Sequence, residues 1–204
     1  STRLYYDSSE KLATTSSGVN VTGALTVNGS ALAGVPVKIA EGAVSSATSE
    51  INMGTSLFSS TYHFYTLKFW FNGTNIEPAL QVYSGSAWQT SNYWGQQNYG
   101  FGGNVTGSTM ENMSAFSMSS DSDGSNRNVV QGEIQMFNMH GTTYRKLMTG
   151  QVYYAIGTLL NYDKPVALIS GGWQGGNGAI TGLRWKDLQS NNFTDGKWIL
   201  YGYN

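Results

Sequence analysis

The chain has 204 residues, a net charge of −1 and no cysteine. Its 11 Lys and Arg are too few for the positive field of the usual nucleic-acid binder, the lack of thiols excludes disulfides and thiolate sites, and two His exclude a zinc centre built on His clusters. Gly, Ser, Thr and Asn supply 86 residues, yet 40% of the chain is hydrophobic and 13% aromatic, so a folded protein of strands and turns is expected.

No apolar run approaches the ~18 residues of a membrane-spanning helix, so no membrane insertion is expected. No basic region leads into an apolar run at the N-terminus, so no signal peptide is expected either. Ser1 stands first without Met, which suggests processing or a piece of a longer chain.

Residues 1–34 are expected to form a separate unit. Short strands are predicted at 3–7 and 11–15, then a longer one over 18–29. In that last run Val19, Val21, Leu25 and Val27 share one face, and Asn20, Thr22, Ala24, Thr26 and Asn28 share the other. So short a segment encloses no core of its own. Its apolar face needs a cover, supplied either by other copies of the chain wound about a common axis or by the chain's own C-terminal part.

Residues 35–204 are expected to form the larger unit, a β-sandwich or jelly roll. Val35-Pro36-Val37-Lys38-Ile39 opens it. The strongest strand follows at 64–71, with Tyr65, Leu67, Phe69 and Phe71 on one face and Phe64, Thr66, Lys68 and Trp70 on an amphipathic second face. Further strands are predicted at 79–83, 129–139, 142–148, 151–160, 165–170, 180–185 and 197–203. Turn signals separate them at Asn72-Gly73, His140-Gly141, Asn161-Tyr162-Asp163, Gly175-Gly176-Asn177-Gly178 and Asp195-Gly196. Residues 84–109 and 110–128 resist a strand reading. The second stretch, with Met110, Met113, Phe116 and Met118, reads as a loop packed on the sandwich or a short helix.

Three passages carry a family resemblance. Tyr5-Tyr6-Asp7 and Lys11-Leu12-Ala13-Thr14-Thr15, running into Gly18-Val19-Asn20-Val21-Thr22-Gly23 and Leu25-Thr26-Val27-Asn28-Gly29, resemble a connector of bacteriophage tail fibres, of the kind found in marine and cyanobacterial phages. Ile180-Thr181-Gly182-Leu183-Arg184-Trp185, followed by Asn192-Phe193 and Gly196-Lys197-Trp198-Ile199-Leu200-Tyr201-Gly202, is similar to the closing pattern of the receptor-binding tips that follow such connectors. Gly132-Glu133-Ile134-Gln135-Met136-Phe137-Asn138 and Tyr144-Arg145-Lys146 resemble their middle strands. These passages cover about a third of the chain. The resemblance implies an all-β homotrimer, with a short intertwined connector held by Val19, Val21, Leu25 and Val27 and a β-sandwich tip. It also implies upstream fibre or tail proteins as partners, a place in the virion outside the cell, and contact with a host glycan or outer-membrane component. Residues 84–128 depart from the pattern.

The departing region holds the best ligand candidates. A sugar ring stacks its C–H face on an indole or phenol, and its hydroxyls pair with neutral amides. Trp88, Tyr93, Trp94 and Tyr99 would be platforms, with Gln89, Asn92, Gln96, Gln97 and Asn98 as partners. The same aromatics could instead fill the sandwich or the trimer interface. Trp173 with Asn177 forms a second candidate loop. Asp121 and Asp123 beside Gly124 offer a weak Ca²⁺ pattern that lacks the distal Glu of a full loop, and a solvated turn is the simpler reading. No cofactor is expected. Without a G-x-S-x-G elbow, and with only Glu111, Asp121 and Asp123 as acids near this region, no enzyme activity is expected. The rival readings are a capsid-fibre or decoration protein without a receptor role and, third, a polysaccharide depolymerase.

Overall fold

The computed structural model describes residues 2–21, 26–27, 30–31, 35–101, 104–118, 127–156 and 166–203. They form strands joined by turns, with no helix among them. The chain divides into two compact units, Ser1–Val35 and Pro36–Asn204.

In the first unit β1 (Arg3–Tyr6), β2 (Ser9–Thr15) and β3 (Gly18–Val21) pair antiparallel in that order. Asp7 and Ser8 turn the chain between β1 and β2 with φ of 49° and 59°, the pair of positive angles that matches strand twist in a two-residue hairpin. The strand predicted over 18–29 is not continuous. β3 ends at Val21, and β4 (Thr26–Val27) pairs back on β5 (Ser30–Ala31). The hairpin dipeptide Asn28-Gly29 stands between those two strands in sequence. Of the predicted connector residues, Val19 and Val21 are 60% and 39% exposed. Leu25 lies outside the described residues, and for Val27 only the backbone is described. Leu4, Tyr5 and Tyr6 are exposed too, and Ala13 is the one buried apolar side chain among the described residues of this unit.

The second unit runs through β6 (Val37–Val44), β7 (Glu50–Gly54), β8 (Phe64–Gly73), β9 (Pro78–Ser84), β10 (Ala87–Trp88), β11 (Tyr93–Phe101), β12 (Asn104–Met113), β13 (Phe116–Ser117), β14 (Arg127–Phe137), β15 (Leu147–Ile156), β16 (Val166–Trp173), β17 (Ile180–Asp187) and β18 (Phe193–Tyr203). Eight of these strands form one antiparallel sheet, in the order β12-β11-β16-β15-β14-β8-β18-β6. A second sheet has the order β10-β9-β17-β7, with β13 also on β9. The two sheets share one hydrophobic core, a β-sandwich-like arrangement. Trp185 of the smaller sheet lies 4.4 Å from the ring of Phe69 and 5.2 Å from that of Phe71 in the larger one. Burying each such side chain contributes ~1.5–3 kcal/mol. Asp187 fixes the corner after β17: its carboxylate accepts backbone N–H groups of Glu77, Gln189 and Asn191 at 2.5–3.0 Å.

Three sequence expectations need correction. Residues 84–109, which resist a strand reading in sequence, do contain strands, because Tyr93–Phe101 and Asn104–Met113 form a long hairpin. Their Gly, Asn and Gln residues alternate across a strand instead of turning the chain. Met110–Ser117 continues that hairpin into β13 and buries Met110 and Phe116 in the core. Between the strands predicted at 142–148 and 151–160 there is no break: Leu147–Ile156 is one strand, β15, the turn lies at 138–146, and 157–160 fall outside the described residues. Gly150, which falls between the two predicted strands, lies inside β15 in the core-facing phase, opposite Ile134 and Ile169. A β-carbon there would press on the carbonyl oxygen of Glu133, and one at Gly132 would lie 3.1 Å from the ring of Phe69. Both glycines let the neighbouring strand's backbone approach closely, and Gly132 also makes room for the Phe69 ring. Gly150→Ala should therefore lower stability by about 1–3 kcal/mol. The check is the denaturation midpoint, and an unchanged midpoint would mean that the space is not needed.

Candidate functional site

Pleating divides the side chains of the larger sheet into two sets. Tyr65, Leu67, Phe69, Ile134, Met136, Val152 and Ile169 turn to the core. The alternate set lines the opposite face, where strand register aligns it into rungs. One rung is Gln96, Ser170, Thr149, Gln135, Thr66 and Tyr201. The next is Asn98, Leu168, Gln151, Glu133, Lys68 and Ile199. The third is Val166, Tyr153, Gln131, Trp70 and Lys197.

These rungs line an open concavity of about 940 Å³. It crosses six strands, from β11 to β18, or about 24 Å at the usual strand spacing. Four amides face it: Asn98, Gln131, Gln135 and Gln151. Tyr153, 42% exposed, donates its hydroxyl hydrogen to Gln151 Oε1 at 3.1 Å. Half-buried Trp70 lies two strands from Tyr153, with Gln131 between them. Lys68 and Glu133 face each other across β8 and β14 with their charges 3.3 Å apart. The surface thus offers two aromatic platforms, several neutral donors and acceptors, and little charge.

The predicted ligand residues distribute differently. Tyr93, Gln97 and Trp173 are interior. Tyr93 is fully buried, where its hydroxyl accepts from Val82 N–H at 2.8 Å and donates to Gln89 O at 3.0 Å. Burial pushes its phenol well above the ordinary value of 10.0, with the Val82 N–H and the Arg184 charge opposing. Gln97 donates to Ser117 O at 2.9 Å and to Met110 Sδ at 3.5 Å inside the sandwich. The ring of buried Trp173 lies so close to Gly175 that a β-carbon there would meet it at 2.5 Å. These three residues occupy core-facing positions of β11 and β16, so ligand contact by their side chains is corrected.

Others are held by neighbours. The Arg184 guanidinium lies 4.8 Å over the ring of Trp88, and Tyr83 stands edge-on to that ring at 5.1 Å. Arg184 in turn donates to Gln81 Oε1 at 2.8 Å and Glu50 Oε2 at 3.0 Å. Gln89 caps its own hairpin through Ser84 O and Ala87 O. Asn92 and Asn177 are exposed, and the Asn177 carbonyl accepts from Lys146 Nζ at 3.2 Å. That ammonium is buried, and desolvation lowers its pKa.

Trp94 and Gln96 line a shallower cleft with Thr109, Glu111 and Leu147. Ser170 borders both that cleft and the larger concavity. Of the candidate stretch, Asn98 alone lines the larger one. For Tyr99 only the backbone is described, and Asp121 and Asp123 lie outside the described residues. Among the described residues no group of three or more His, Asp or Glu could hold a metal ion. The residues that sequence reasoning missed are Gln131, Gln135, Gln151 and Tyr153. Their signal was alternation with the core residues beside them, the same pattern that marked Trp70 and Lys68.

No protein-family model, curated protein or solved structure matches the chain.

Tyr93→Phe should cost about 1–3 kcal/mol at neutral pH, because Val82 N–H loses a buried acceptor. The raised phenol pKa means that the folded state binds this proton more tightly than the unfolded state. Its contribution is complete below pH 10.0 and falls as pH rises further. Tyr93→Phe should flatten the stability loss above that pH. Chemical denaturation over an alkaline pH series measures both effects, and an unchanged slope would place the phenol in water.

Proposed function

We propose that the chain is the receptor-binding tip of a bacteriophage tail fibre, a homotrimer with an N-terminal β connector and a jelly-roll tip, and that it binds a host-surface glycan without enzymatic action. The observation that carries this reading is the concave outer face of the larger sheet, where Trp70 and Tyr153 flank Gln131 among further amides and hydroxyls. Sugar rings stack on such platforms while amides pair with their hydroxyls, and neither step desolvates a charge. The open, shallow form suits an extended saccharide laid across the strands. The site differs from the one expected at 88–101, although Asn98 lines it and Trp94 and Gln96 line the cleft beside it. The uncovered Leu4, Tyr5, Tyr6, Val19 and Val21 support the connector, since copies sharing an axis would bury them.

Trp70→Ala and Tyr153→Ala should leave the assembly and its melting temperature nearly unchanged but reduce retention on host-surface polysaccharide about tenfold each. Retention equal to that of the unaltered protein would leave this face without a receptor role and favour a structural virion component. Solution mass should correspond to three chains, and a monomer at micromolar concentration would sink the fibre reading.

A further inference from the structure

Lys197 faces the concavity without an ion-pair partner among the described residues, and we infer that the saccharide bound there is acidic, carrying a carboxylate or phosphate that Lys197 receives. This inference rests on the glycan reading of the same face. Lys68 and Glu133 form a pair at 3.3 Å. Lys38 and Glu41, next along the sheet on β6, form another at 2.7 Å. Lys197 is exposed and faces the concavity, yet no carboxylate among the described residues lies within 4.0 Å of its ammonium. Asp195, two residues back on the same face of β18, is exposed too but does not line the concavity.

The position of Lys197 gives its charge a use. Lys197 stands directly opposite Trp70 in the register of β18 and β8. Directly paired residues have Cβ atoms about 4.5–5.5 Å apart, so the four-carbon stem is long enough for the ammonium to reach a ring stacked on the indole. A ring stacked on Trp70 would place an acidic substituent against that ammonium. Gln131, on the other side of Trp70, would take a hydroxyl of the same ring. Glu133 does not repel such a ligand, because Lys68 holds its charge. Neutral sugars would satisfy the amides and leave the ammonium without a counter-charge.

The test is an oligosaccharide array probed with the full chain and its variants. Acidic probes are oligogalacturonate and oligoalginate. Neutral probes are methyl-esterified oligogalacturonate, maltohexaose and mannohexaose. The expected result is retention of acidic probes only, with esterification abolishing galacturonate binding. Lys197→Gln should weaken retention about tenfold, Lys197→Arg should restore most of it, and Glu133→Gln, which frees the Lys68 ammonium, should strengthen it. Thermal melting of each variant checks that the fold persists. Retention of neutral probes, or of acidic probes by Lys197→Gln at full strength, overturns the acidic preference and leaves the glycan reading intact. No retention of any probe overturns both.

Discussion

The register of the eight-stranded sheet is the constraint on which the other features depend. Side chains alternate across the pleat, so one alignment fixes both the core and the outer rungs. A one-residue slip of β14 would turn Gln131, Glu133 and Gln135 into the core and Val130, Ile134 and Met136 to water. The concave face is therefore the reverse side of the core, and its order is as strongly specified as the packing beneath it. Gly132 and Gly150 belong to the same constraint, because at both positions the backbone of the neighbouring strand comes too close for a β-carbon.

The sequence was most legible where alternation is pure. The strand over 64–71 was readable with both faces, and the observed β8 buries Tyr65, Leu67, Phe69 and Phe71 as that pattern requires. It was least legible where glycine and amides interrupt the apolar phase. Gly150 lies in the gap between the strands predicted at 142–148 and 151–160, yet it continues β15 and serves close approach of the neighbouring strand. In β11, Gly95 and Gln97 hold core-facing positions that an apolar count skips, so the strand was hidden. The buried Gln97 is tolerated because its amide reaches a backbone carbonyl across the fold, a partner that no local spacing reveals.

The same ambiguity governed the candidate site. An aromatic residue among amides serves equally as a sugar platform or as a core anchor with its polar tip satisfied. Tyr93 takes the second role: its ring fills the core while its hydroxyl bridges Val82 and Gln89. Trp88 takes an intermediate one, with a guanidinium already over its ring. Trp70 differs because its neighbours in the rung, Gln131 and Lys197, are polar and face the concavity. Local composition singled out Tyr93 and Trp88 and passed over Trp70, and strand pairing is what separates the three.

Scarcity of charge then gives the face its character. With 11 basic and 12 acidic residues in 204, ionic contacts are few, and those on the outer face of the larger sheet fall into local pairs. Exposed pairs of this kind contribute only about 0–1 kcal/mol, so they serve less as glue than as a way of cancelling stray charge on a surface of amides and hydroxyls. Weak, shallow contact of that kind is poorly suited to tight binding by one site. It suits an assembly in which several copies engage one surface, where linkage makes later contacts intramolecular and raises avidity without new contacts. The two proposals thus support each other: an open amide face works best when repeated, and the uncovered apolar side chains of the first unit supply a reason for the chain to repeat.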